Sequence, residues 1–289
     1  MAESERGSGE LTEMDPRPAD GLSGSSLTTS ELRQNWKQLK SREIPVRLLF
    51  QVPSSRVVQE PLRKHVVYRV VVMRSGSFDS HQVWVERRYR DFSCFHQQLL
   101  EEFEEELEDL VLPRKLLTGN FSPENISERR LALQDYLAQL FSTRCVRHSP
   151  HFSKFFTEPE LKQAHTLLRS GQFTLAVELL QTVLEIQEKL VPWQKPTLTV
   201  PTLSALAVCY RDLDEPERAF GNAHRALPAA RRYGLQQYRA ALLELLLEVG
   251  YQLGRPVAQL QDELTALRDA ERGEVSSRSL KEVVIYEFL

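Results

Sequence analysis

Two adjacent arginines and a tyrosine stand where the chain changes from a strand pattern to a helix pattern. Arg87, Arg88 and Tyr89 follow a stretch in which valines alternate with other residues, and Phe92 begins a series of apolar residues at helical spacing. Because successive side chains of a strand point to opposite faces, the two guanidinium groups cannot both enter one pocket. We expect one to bind an anionic ligand and the other to face solvent. Phosphate suits the first, since a planar guanidinium can meet two of its oxygens at once.

The composition limits the class of protein in which these arginines act. The 289 residues give room for about two domains, and a formal net charge of −3 gives no basic footprint, so we expect no nucleic-acid partner. The N-terminus shows no signal-peptide pattern, and no apolar run approaches the ~20 residues that span a bilayer. Three widely spaced cysteines indicate a reducing compartment in which each thiol is a small buried group: Cys94, Cys145 and Cys209. These features predict a cytoplasmic protein whose membrane contact is peripheral.

Three stretches around the arginine pair predict an antiparallel sheet. Apolar residues alternate with others in residues 46–52 and again in residues 81–87. Residues 66–73 are apolar nearly throughout, which is typical of a central strand. Short connections containing turn-forming residues make the three strands a meander. A sheet of this size needs helices to cover its inner face.

Two helical stretches follow and supply that cover. Apolar residues recur at three- and four-residue steps in residues 92–103 and in residues 124–141. A short helix over Pro150–Phe156 is expected to close the domain with three phenylalanines. The acidic run in residues 101–109 is typical of a solvated face, and it should point away from an anionic membrane. Together with the strands, these helices predict the α+β class.

The segment ERRYRDF resembles the signature of the PX (phox homology) domain, a phosphoinositide-binding module of endosomal proteins. The resemblance implies that Arg88 binds the 3-phosphate of the headgroup and that Tyr89 packs on the inositol ring. It further implies that Lys115, at the end of LPRK, contacts the 1-phosphate. An arginine early in the second helix contacts the inositol hydroxyls in this family, and Arg129 is at the matching place. Arg130, ~100° away around the same helix, remains the alternative.

The loop that carries the lysine also contains apolar residues where an exposed turn is expected. Leu116, Leu117 and Phe121 could belong to the core. The PX resemblance instead makes them candidates for insertion between lipid headgroups. The loop has one proline, Pro113, where many PX domains have a PxxP run, so its conformation is less determined by the resemblance.

Strand patterns stop at about residue 158, and helices interrupted by glycine and proline continue to about residue 270. Two segments match at an offset of 43 residues: Gly171, Phe173, Ala176, Leu180 and Val183 against Asp214, Pro216, Ala219, Ala223 and Ala226. This spacing resembles the tetratricopeptide helix hairpin, although its repeat exceeds the usual ~34 residues. A weaker third copy runs from Leu242 to Ala266. The apolar tail 280–289 is expected to dock on these helices.

A PX domain followed by an all-α, tetratricopeptide-like domain resembles the sorting nexin-20 and sorting nexin-21 subfamily, and the short N-terminal tail favours the sorting nexin-20 branch. We expect a disordered tail over residues 1–27 and an amphipathic helix over residues 28–42. The PX domain then covers residues 43–157, and the helical domain covers residues 158–289. The resemblance implies binding of phosphatidylinositol 3-phosphate on early endosomes. It also implies a role in sorting transmembrane cargo. The helical domain would bind the cytoplasmic tails of that cargo or other proteins.

Two other functions compete with this membrane adaptor. The chain could be a protein-interaction scaffold whose lipid pocket is weak or prefers a bisphosphorylated phosphoinositide. It could also be an enzyme, but it contains no P-loop, no G-x-S-x-G and no H-E-x-x-H motif, and its histidines are scattered. We therefore expect no catalytic residues, no metal and no cofactor.

Overall fold

The computed structural model describes residues 47–61, 63–75, 79, 82–116, 118–270 and 278–287. The tail and the amphipathic helix predicted before residue 43 lie outside these residues, and so does Leu117. No helix in the described part of the chain is long and apolar enough to cross a bilayer.

The sheet has three antiparallel strands in the order β1–β2–β3, so the most apolar strand is central, as its sequence predicts. Their bounds are Arg47–Glu60 for β1, Arg63–Ser75 for β2 and Val83–Arg88 for β3. β1 continues well past Val52, where its apolar alternation ends, because residues 54–60 still pair with β2. Side chains in this extension are mostly exposed, which is why the sequence pattern missed it.

Helices cover the inner face of the sheet. Their bounds are Tyr89–Phe103 for α1, Pro123–Ser142 for α2, Arg144–His148 for α3 and Pro150–Arg169 for α4. The Ser122 hydroxyl caps α2 by accepting a hydrogen bond from the Asn125 N–H at 3.3 Å, and proline occupies the first turn. Phenylalanines from α1 and α4 interlock over the sheet; the rings of Phe95 and Phe155 stack with centroids 4.5 Å apart. The acidic side chains after α1 are exposed, as expected.

Helix α4 does not stop at Phe156 but continues to Arg169, so the predicted boundary at residues 157/158 lies inside a helix. Pro159 lies inside this helix, and proline cannot donate to the carbonyl four residues earlier. That carbonyl belongs to Phe155, and it accepts a hydrogen bond from Arg87 Nε at 2.6 Å instead. A distant side chain thus replaces the missing helical bond, and the helix passes through the proline.

The remaining helices form hairpins, with α4 pairing with the next helix. The bounds are Phe173–Leu190 for α5, Val200–Asp212 for α6, Pro216–Arg232 for α7, Gln236–Gln252 for α8, Ala258–Ala270 for α9 and Leu280–Glu287 for α10. The repeat predicted from sequence is visible at the hairpin turns, because Gly171 and Asp214 both have positive φ, at 75° and 59°. α10 docks on the hairpins as expected, with Leu280, Val283 and Val284 in their core.

The sheet-containing part and the hairpins share α4 and the end of α5. Ile186 and Leu190 of α5 are buried in the core that lies under the sheet. Beside them, Lys189 Nζ lies 2.5 Å from Asp79 Oδ2, and both side chains are largely buried. Arg74 of β2 also donates to the backbone carbonyl of Glu188. The two parts are therefore joined by apolar packing and by buried charge.

The cysteines differ in their surroundings. Cys209 is buried in the hairpin core, and burial raises the pKa of its thiol to about 12, so it acts as an apolar group there. Cys145 is half-buried. Cys94 is exposed, contrary to the expectation of three buried thiols, because it lies on the outer face of α1.

Candidate functional site

Arg88 is the last residue of β3 and directly precedes α1. Its backbone N–H donates to Asp91 Oδ2 at 2.7 Å, which fixes the turn from strand to helix. The side chain is 51% exposed, and a carboxylate oxygen of Glu60 lies 3.6 Å from Nη2. Such an exposed pair contributes about 0 to 1 kcal/mol, so a phosphate could displace it readily.

Arg87 points to the opposite face, but it is buried rather than solvated. Only 1% of its side chain is exposed, and its two terminal nitrogens lie 2.6 and 2.7 Å from the carboxylate oxygens of Glu160. The expectation that the second arginine faces solvent is therefore wrong. Strand alternation predicted the division of the pair, but it could not show that Glu160, 73 residues later, would cover this face.

The four residues assigned to the headgroup from sequence line one cavity of about 380 Å³: Arg88, Tyr89, Lys115 and Arg129. Two cations lie near the Tyr89 ring, with Lys115 Nζ 5.0 Å and Arg129 Cζ 5.6 Å from its centroid. β3, α1, the loop before α2 and α2 itself each contribute one part of this cluster.

Arg129 is the deepest of these cations. It is 6% exposed, and its Nη2 donates to Asn120 Oδ1 at 2.8 Å, which links α2 to the lysine-bearing loop. Burial raises the pKa of the neighbouring Tyr68 hydroxyl, and the Arg129 guanidinium partly opposes that shift. Arg130, the alternative from sequence, is directed elsewhere, since it donates to the backbone carbonyl of Val52 at 2.7 Å.

Sequence reasoning missed a basic triplet on the cavity wall. Arg63, Lys64 and His65 line it from the start of β2. β3 ends at Arg88, which is opposite Val67, so the residues before Val67 extend past the end of β3 and border the cavity. The run RKH before an apolar strand was the available signal, but the strand register was needed to interpret it.

Two of the three residues proposed for membrane insertion are exposed beside the cavity. Leu116 is 48% exposed, and Phe121 lines the cavity with Lys64 Nζ 4.8 Å from its ring centroid. Their exposure is consistent with the prediction of membrane insertion, which stays a prediction. Leu117, the third, is not among the described residues.

Comparison with known proteins shows the family. A model of the PX domain matches residues 75–159. Over 284 residues the chain is 43% identical to sorting nexin-20 of Bos taurus, covering 95% of this chain and 88% of the relative. The chain belongs to the sorting nexins. This sorting nexin is also 45% identical over 273 residues to sorting nexin-20 of Rattus norvegicus, covering 92% and 85% of the two chains.

Sorting nexin-21 is more distant. The identity to sorting nexin-21 of Homo sapiens is 34% over 282 residues, covering 98% of this chain and 75% of the relative. The sorting nexin-20 branch favoured by the short tail is therefore confirmed. The PX match includes the four residues assigned from sequence, whereas the basic triplet of β2 precedes it.

Proposed function

We propose that this sorting nexin is a peripheral membrane adaptor that binds phosphatidylinositol 3-phosphate on early endosomes and takes part in sorting transmembrane cargo. Its family and its PX domain support the broader role of a phosphoinositide-binding trafficking adaptor. In this proposal residues 43–157 bind the lipid. Residues 158–289 bind cytoplasmic tails of cargo or other proteins.

The charge of the cavity wall carries the proposal. Among the described residues that line the cavity, six are arginine or lysine and none is aspartate or glutamate: Arg63, Lys64, Arg88, Arg90, Lys115 and Arg129. A chain with a net charge of −3 has concentrated positive charge at one concave place. An anion with several phosphates is the ligand that this arrangement fits.

Each assigned residue has a role that its surroundings suit. Arg88 is exposed and weakly paired, so it can turn its guanidinium toward the 3-phosphate. Arg129 is held by Asn120 and can meet the ring hydroxyls without reorganising. Lys115 would contact the 1-phosphate and Tyr89 the inositol ring, beside the N-terminus of α1, whose positive dipole end also favours anions.

The basic triplet favours a second candidate, a headgroup with more than one ring phosphate. Arg63 and Lys64 add cations beyond those that the PX resemblance assigns. Additional phosphates could use them, and the chain would then bind a bisphosphorylated phosphoinositide at another membrane. A panel of single phosphoinositides separates these candidates.

The test is sedimentation with liposomes that each contain one phosphoinositide. We expect preference for the 3-phosphate lipid, and at least about tenfold weaker binding by Arg88→Ala, because charge-assisted hydrogen bonds contribute roughly 1.5–3 kcal/mol each. Arg56→Ala is the matched control, since Arg56 is also an exposed arginine of the sheet but does not line the cavity. Equal binding by wild type and Arg88→Ala would refute the assignment. Preference for a bisphosphate would support the second candidate.

A further inference from the structure

A second cavity of about 390 Å³ lies among the hairpin helices and shares no lining residue with the lipid cavity. It is formed where α4, α5 and α6 meet the segment between α5 and α6. Leu161, Leu198, Pro150 and Pro201 contribute apolar walls. Its volume is in the range that accommodates one or two side chains of a bound peptide or a small molecule.

Two buried polar side chains in this wall have no partner for part of their hydrogen-bonding capacity. Gln187 is 2% exposed and Thr202 is 1% exposed. Within the described residues, neither the Gln187 Oε1 atom nor the Thr202 hydroxyl has a hydrogen-bond partner. Because more than about nine in ten buried polar groups in proteins are bonded, two orphaned atoms in one cavity indicate a site for a polar ligand group.

Two other hydroxyl groups in the same wall, by contrast, are hydrogen-bonded. Ser153 donates to the Pro150 carbonyl at 3.0 Å, and Thr157 donates to the Ser153 carbonyl at 2.8 Å. Both therefore satisfy themselves within their own helix. Gln187 and Thr202 do not, so an acceptor and a hydroxyl in this wall have no hydrogen-bond partner among the described residues.

The rim of the cavity is basic. Lys154, Lys162 and Lys195 are exposed there, and Glu158 is the only carboxylate among the described lining residues. Glu158 is occupied by Lys162, with 2.6 Å between Oε1 and Nζ. The remaining positive charge favours an acidic occupant.

We propose that this cavity binds an acidic segment of a partner protein, with one side chain that carries a hydrogen-bond donor, such as tyrosine, inserted between the apolar walls. The inserted group donates to Gln187 Oε1 and bonds to the Thr202 hydroxyl, while flanking carboxylates pair with the rim lysines. The inference deepens the protein-binding role proposed for residues 158–289. It does not depend on the lipid site, because peptide binding can be measured without membrane.

The experiment uses the full-length protein and an array of fluorescein-labelled octapeptides. Each peptide has one of the twenty amino acids at a central position, within a flank of Asp and Glu, of Ser and Gly, or of Lys and Arg. We expect binding only within the acidic flank, and strongest with a central tyrosine, asparagine or glutamine. Binding that is equal in the three flanks, or absent from all acidic peptides, would overturn the proposal.

Variants locate the binding. Lys154→Glu with Lys195→Glu should weaken binding of the best acidic peptide by about tenfold or more, whereas Arg169→Glu, on an exposed arginine of α4 outside the cavity, should not. Thr202→Val should weaken it about three- to tenfold and should reduce the preference for tyrosine over phenylalanine, because only the bond to Gln187 Oε1 remains. Unchanged binding by the lysine variant would place the peptide elsewhere. Because both lysines are exposed, the melting temperature of the Lys154→Glu, Lys195→Glu variant should match that of the wild type. Liposome binding should also be unchanged, so a failed lipid assay and a failed peptide assay remain distinguishable.

Discussion

Removing Arg87 should destabilise the protein, although its neighbour Arg88 can be removed with little effect on stability. The Arg87 guanidinium donates to both carboxylate oxygens of Glu160 and, through Nε, to the Phe155 carbonyl. Arg87→Ala leaves that carboxylate largely buried without its partner. It also leaves the Phe155 carbonyl, four residues before Pro159, without a hydrogen-bond donor.

The magnitude follows from the burial of this pair. Only 1% of the Arg87 side chain and 16% of the Glu160 side chain are exposed, so solvent screens the pair little. Breaking a buried pair by removing one partner costs roughly 3–5 kcal/mol in free energy of unfolding. With a urea slope of about 3 kcal/mol per molar, the unfolding midpoint should fall by about 1 to 2 M.

Urea unfolding followed by circular dichroism measures this change, with Arg88→Ala as the matched control. Arg88 is half-exposed, so its removal should alter the free energy of unfolding by no more than about 1 kcal/mol. The double variant Arg87→Met with Glu160→Met should lose less stability than Arg87→Ala, because no charge is left unpaired.

Two results would refute the reasoning. An Arg87→Ala protein with the wild-type urea midpoint would show that the pair with Glu160 contributes nothing to stability. An Arg87→Ala protein that is fully stable but binds lipid poorly would mean that the roles of the two arginines are exchanged.

Three further expectations concern the loop, the hairpins and the joint between the two parts. Leu116→Asp should weaken vesicle binding by about tenfold or more, since burying a leucine contributes roughly 1.5–3 kcal/mol, but it should spare binding of a soluble headgroup by calorimetry; equal loss of both would make Leu116 a headgroup contact. Although burial opposes ionisation, hydrogen bonds from Lys281 and Arg211 hold the pKa of Asp212 below its usual value. That contribution is complete above about pH 4 and disappears as the pH falls toward the folded-state pKa, so the stability deficit of Asp212→Asn in pH-dependent unfolding should vanish in acid; a deficit that persists there would contradict it. A fragment ending at residue 157 should melt well below the full chain, because the core under the sheet loses two apolar side chains of α5, and equal melting temperatures would show that this packing is dispensable.

Strands and helices with one buried face were predictable from sequence. The group of residues that line the lipid cavity was also predictable, through the PX resemblance. Alternation and helical spacing report which side of an element is buried, and they placed β2 at the centre and α1 over the sheet. The family motif assigned Arg88 and Arg129 to one site because each lies in a short local pattern that resembles the PX signature, and both line the cavity.

Features that depend on distant residues were not predictable. The passage of α4 through Pro159 requires a donor from Arg87, which no local pattern reveals. The basic triplet at the start of β2 joined the cavity only through the strand register. The orphaned atoms of Gln187 and Thr202 are ordinary polar positions in sequence, and only the packing of neighbouring helices shows them to be without partners.

Helix α4 also sets the spacing between the core under the sheet and the core of the hairpins. Its 20 residues make a rod about 30 Å long that begins in the core under the sheet and ends in the core of the hairpins. Under the proposed function, a bilayer that orients the lipid cavity would orient the hairpins as well, and a tail bound to them would be held at a set height above the membrane. Cargo would then be selected by the number of residues between its membrane span and its bound segment, as well as by the sequence of that segment.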